Sequence, residues 1–176
     1  MKAGHIAIAA AQGLKLRPEG FAMDPLGEGL ACYCKHPDNS DQSRERIIVT
    51  SFAGYKAQHR FCQEHFYSDP DAERVIDSCD WREARTLITG LSSRYPGTVE
   101  VIRSKLEDRS GQFVERNWSA IKALAATLMG KTWEPVRPLK SGGMWSTQMI
   151  AKYVDGTEAI SILRGFGIDA ACDADC

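Results

Sequence analysis

No charge of one sign dominates this sequence. Its 176 residues carry 22 Lys and Arg against 23 Asp and Glu, and neither sign forms a long block. A nucleic-acid binder normally shows a basic excess or stripe, so no nucleic-acid partner is expected. Long apolar runs are missing as well. The longest, residues 6–11, falls far short of the roughly 20 residues a membrane-spanning helix needs. The opening residues do not read as an export signal, because Lys2 is their one basic residue and no cleavage-like pattern follows at Gly13-Leu14-Lys15. The expectation is a cytoplasmic protein with no membrane partner. No Cys-x-x-Cys pair occurs among the six cysteines, which excludes a zinc ribbon or a thioredoxin-type motif. In a cytoplasmic setting they are expected as reduced thiols. Internal repeats and low-complexity tracts are absent too.

What is present suffices for one core. With 43% hydrophobic residues, the chain reads as a single domain over 1–176. Within it, 1–95 forms the main body, 96–130 a long helix, and 131–176 short closing helices and a tail. Residues 2–12 are rich in Ala and Ile, with Gly13 placed to end a helix. Residues 14–36 read as two strands about the turn-rich Asp24-Pro25-Leu26-Gly27-Glu28-Gly29. A helix over 42–65 follows from the stripe Ile47, Ile48, Phe52, Tyr55 and Phe61. Another opens at Asp80, with Trp81, Ala84, Leu87 and Ile88 inward, after a short helical piece at 72–77. Apolar residues three and four apart predict a long helix over 98–129, with Ser110-Gly111 as the place for a kink. Two short helices, 146–153 and 157–163, close the chain. The fold class is α+β, predominantly α, with a small β-hairpin beside the N-terminal helix.

The opening Met1-Lys2-Ala3-Gly4-His5, followed by small apolar residues, resembles the zinc helix of FtsH-type metallopeptidases, which reads His-Glu-Ala-Gly-His. Three further pieces agree in order: the glycine-bearing hairpin of 14–35, the helix containing Ala53-Gly54-Tyr55-Lys56-Ala57-Gln58, and Ser78-Cys79-Asp80-Trp81-Arg82-Glu83-Ala84. The resemblance covers roughly residues 1–130 and implies His5 and Asp80 as two of three zinc ligands. The first ligand position is Met1 and the general-base position is Lys2. A thioether is a poor substitute for imidazole on zinc, and an ammonium cannot accept a proton from bound water. Lys2 is therefore not competent as the catalytic base, zinc is at most residual, and no cofactor is expected. The resemblance then implies that His5 and Asp80 stay close together, with Lys2 or the α-amino group in the vacated metal position and paired with Asp80.

Plainer readings stand beside these. His5 alone reads as a surface or hydrogen-bonded histidine. Asp80-x-x-Glu83 has the spacing of a capping box, and capping is the first reading of Asp80, ahead of ligation. Other metal candidates are Cys32, Cys34 and His36 on one strand face, and His59, Cys62 and His65 on one helix face, with Cys172 and Cys176 in a fraying tail. Gly130-Lys131-Thr132 is not a phosphate-binding loop, since Ala125 stands where the first glycine belongs. Three functional expectations result. The first is a stand-alone FtsH-peptidase-like domain without zinc-dependent proteolysis, binding a protein or peptide partner. The second is a metal-dependent hydrolase or peptidase with a modified site using His5, Asp80 and a carboxylate such as Asp24 or Glu28. The third is a structural, oligomer-forming protein, with Trp118, Trp133 and Trp145 as interface anchors. Homo-oligomers are expected under the first two as well.

Overall fold

A computed structural model describes residues 2–35, 40–65, 79–93, 97–138 and 144–173, Cys79 by its backbone alone. Helix α1 (Lys2–Ala11) is apolar apart from Lys2 and His5, and Ala3 to Ala10 are all buried. A helix with so little polar surface belongs at the centre of a fold. Here it packs against α2, α5, β1 and β2. It ends as its sequence indicates: the Gly13 amide donates to Ala10 O and the Leu14 amide to Ala9 O, the paired bonds of a Schellman stop.

Strands β1 (Leu16–Met23) and β2 (Gly29–Tyr33) form the expected hairpin. Helix α2 (Asp41–Glu64) is capped by Ser40, whose hydroxyl accepts from the Ser43 amide. Its stripe is buried at Ile47, Ile48 and Phe52, but Phe61 is exposed. Helix α3 (Cys79–Ser92) buries Ala84, Ile88 and Leu91. The helical piece expected at 72–77 lies outside the described residues.

Two expectations are corrected. The long helix breaks at Asn117, not at Ser110-Gly111, giving α4 (Val99–Arg116) and α5 (Trp118–Gly130). Asn117 leaves helical geometry and donates from Nδ2 to Phe113 O, a local side-chain bond that competes with the helix ladder. Ser110 is instead buried inside α4, where its hydroxyl donates to Val49 O of α2 at 2.8 Å. The helix expected over 146–153 is absent. Ile150–Val154 is strand β4, drawn into the sheet by antiparallel pairing with β1 (Phe21 with Val154) and with the short β3 (Glu134–Pro135). The pairing with β1 depends on partners more than 120 residues away, which local periodicity does not register. The sheet order is β2-β1-β4-β3, and α6 (Gly156–Gly165) follows as expected. One hydrophobic core joins α1 to all the other helices and to the hairpin. The architecture is α+β, predominantly α. No helix among the described residues is long and apolar enough to cross a membrane.

Candidate functional site

Two helices converge on one carboxylate. Lys2 and His5 lie three residues apart on one face of α1. Asp80, in the first turn of α3, meets both: its Oδ2 is 3.6 Å from Lys2 Nζ and 3.4 Å from His5 Nε2. The lysine stem crosses the start of β2, where a Cβ on Gly29 would lie 2.7 Å from Lys2 Cγ. The structure thus brings Lys2, His5 and Asp80 together. Asp80 lies within α3 and not at its N-cap, and Glu83 is taken by Lys35 at 2.6 Å, so the capping-box reading is corrected. The two residues tie α3 to α1 and to the end of β2.

His5 is not a surface histidine. Its side chain is 3% exposed, against 21% for Lys2 and 34% for Asp80. The Cε1–Nε2 edge of the ring lies closest to Gly54 of α2, where a Cβ would stand 2.3 Å from Cε1 and 2.4 Å from Nε2. Nε2 also lies 3.3 Å from the carbonyl oxygen of Ser51. A carbonyl only accepts, so the ring proton sits on Nε2 and is shared between Ser51 O and Asp80. Nδ1 is left buried with no hydrogen-bond partner. Burial lowers the pKa of His5 from 6.5 to about 4; Asp80 opposes the shift and Lys2 adds to it. The ring is therefore neutral at pH 7.

Two neighbours escaped the sequence reading. Tyr33 of β2 is buried, hydrogen-bonds the Ser51 side chain, and is held far above its usual pKa by burial and then by Glu83 and Asp80. Ser51 donates to Ile47 O and offers its own carbonyl to His5. The available signal was Ser51-x-x-Gly54, two small residues on the α2 face that receives a ring from α1.

No protein-family model matches the chain, and no curated protein matches it.

Whether zinc fits is therefore decided by the donor set. Among the described residues, no three His, Cys, Asp or Glu side chains are grouped to hold a metal ion. Beside His5 and Asp80 stands an ammonium, and the imidazole nitrogen facing Asp80 carries a proton. These residues do not fit zinc. Nor is His5 built as a general base, since Nε2 is committed as a donor and Nδ1 is buried. Asp24, weighed above as a second catalytic carboxylate, is 1% exposed and fully engaged. Oδ1 accepts from the Leu26 and Glu28 amides, and Oδ2 from Ser146 Oγ at 2.6 Å. It fixes the β1–β2 turn against the segment before β4. Asp24→Ala is expected to lower the unfolding free energy by about 1.5 kcal/mol, read by urea denaturation.

The remaining candidates separate. Cys34 is disulfide-bonded, which corrects the expectation of reduced thiols throughout. It removes Cys34 as a thiolate ligand beside Cys32, and His36 and Cys176 lie outside the described residues. His65 caps α2, stacks on Phe61 and bonds its carbonyl, while His59 points to solvent. The Trp118 indole donates to Glu64, Trp145 packs edge-on against Tyr153, and Trp133 is exposed under Lys152. A cleft of about 500 Å³ opens between α1, α2 and α5, lined by Ala3, Gly4, Phe61, Trp118 and Ile121 among others. Neither His5 nor Asp80 lines it.

Proposed function

We propose that this chain is an FtsH-peptidase-like domain that does not carry out zinc-dependent proteolysis and instead binds an extended segment of a protein or peptide partner. The observation that carries the reading is Asp80 Oδ2 placed 3.6 Å from the Lys2 ammonium and 3.4 Å from the His5 imidazole nitrogen Nε2. Water activation needs a Lewis acid or a free base at that point, and neither residue supplies one. Lys2 occupies the general-base position of the resembled motif without the chemistry of a base.

The binding half of the proposal rests on the sheet edges. β3 is two residues long and contains Pro135, which cannot donate to a ladder. β2 is five residues long, has no proline and is the outer strand on the other side, with the Lys2 stem lying against its first residue. Strand addition along β2 would bring a partner's side chains beside Lys2 and Asp80. Self-association belongs to the same proposal and is read by light scattering. Trp133, Met149 and Ile150 are exposed about β3 and β4. The test of the catalytic half is incubation with unfolded casein, with and without chelator. No cleavage is expected in either, and chelator-sensitive proteolysis by this chain would sink the reading.

A further inference from the structure

A side-chain ammonium and a divalent ion answer the same electrostatic need, a positive charge beside a carboxylate. In this fold that charge is covalently attached. Lys2 reaches Asp80 from the same helix face as His5, and both meet the same oxygen, Oδ2. We infer that the Lys2 ammonium is the resident cation of this site: it joins α1 to α3 where a divalent ion would otherwise do so, and it keeps such ions out. The inference deepens the proposed function and rests on it in one respect, that no metal operates at His5 and Asp80.

The geometry gives the exclusion two causes. The ammonium would stand within a few ångströms of any dication bound to Asp80, and like charges at that range repel strongly in a half-buried setting. The proton on His5 Nε2 must also leave before nitrogen can ligate, and Ser51 O, 3.3 Å away, holds it there. Only the first cause depends on residue 2. Reversing that charge with Lys2→Glu replaces the ammonium with a third donor beside His5 and Asp80. One imidazole and two carboxylates form a set that suits zinc, with water completing the shell. Without metal, the two carboxylates of that variant repel each other; with metal they share a ligand.

The experiment is thermal unfolding of the full chain in chelator and in 100 µM ZnCl2, with zinc binding followed by calorimetry. The native chain is expected to show the same Tm in both conditions and no stoichiometric binding. Lys2→Glu is expected to bind one zinc per chain with a Kd of about 1 µM or tighter, raising Tm by about 5 °C or more over chelator. Lys2→Gln, which removes the repelling charge without adding a carboxylate, is expected to bind zinc at least tenfold more weakly than Lys2→Glu, and Lys2→Glu combined with Asp80→Asn to lose the response. One zinc bound by the native chain and abolished by Asp80→Asn overturns the inference. So does a Lys2→Glu chain of native helicity that gives no zinc response. If Lys2→Glu does not fold, the decision falls to Lys2→Ala, where at least a tenfold gain in zinc affinity over the native chain is expected and equal affinity overturns the inference. Casein cleavage reports on the proposed function separately, because metal can bind here without hydrolysis following.

Discussion

Gly54→Ala is expected to destabilise the protein by about 2 kcal/mol, although the same change in an open helix stabilises it. Alanine in a helix interior gains about 1 kcal/mol over glycine, because glycine loses more backbone freedom on folding. That gain should appear at Gly111 in the middle of α4, where a Cβ would meet nothing within 4 Å. At Gly54 the Cβ would lie 2.3 Å from His5 Cε1 and 3.0 Å from Nδ1, well inside contact distance. Relief by helix separation would open the tight α1–α2 contact nearby, where a Cβ on Gly4 would stand 2.8 Å from Ala53 O. The ring must therefore turn away, giving up Ser51 O and Asp80. Overpacking of this kind costs about 3 kcal/mol, which outweighs the propensity gain. Urea denaturation of Gly54→Ala and Gly111→Ala in parallel checks this, with midpoints expected to move in opposite directions. If both variants gain stability, the ring does not lie where the site requires it.

Much of the fold is legible locally, and the misreadings have two origins, long-range pairing and a weak local preference. The alanine-rich α1 with its glycine stop and the hairpin about Asp24-Pro25 both express themselves within a few residues. β4 does not, because Ile150 to Val154 becomes a strand only when β1 supplies its ladder. The break at Asn117 rests on a single amide choosing Phe113 O, a weak preference inside a strongly helical run. At the site, the spacing of Lys2 and His5 and the acid at Asp80 can be read along the chain. Tyr33 has no such mark, and Ser51 and Gly54 show only as two small residues at i, i+3. Their roles come from lying against a ring that arrives from another helix, and contacts across 18 to 49 residues are set by packing. Asp80 shows the same lesson in reverse, since its spacing to Glu83 promises a local cap and the fold spends both carboxylates on distant cations.

Acidification is expected to remove about 3 kcal/mol of stability through His5 alone. In the folded chain its pKa is lowered from 6.5 to about 4, first by burial and in lesser part by Lys2, while Asp80 and the Ser51 carbonyl oppose the change. The unfolded chain, with the ordinary value, takes up the proton first as pH falls. The contribution is therefore complete above pH 6.5, declines progressively below it, and is lost by about pH 4, each unit of difference being worth about 1.4 kcal/mol. Carboxylates titrate toward the lower end of the same window, so the total slope does not isolate the histidine. His5→Gln does, because glutamine keeps a side-chain N–H for Ser51 O and has no proton to gain. Denaturation midpoints of both proteins at pH 7.5, 6, 5 and 4.5 give the difference directly. The native chain should start more stable and converge on the variant as pH falls, with most of the convergence between 6.5 and 4.5. Two parallel curves would mean that the imidazole is charged or solvated in the folded protein. The neutral, Nε2-protonated ring on which the site is built would then be wrong.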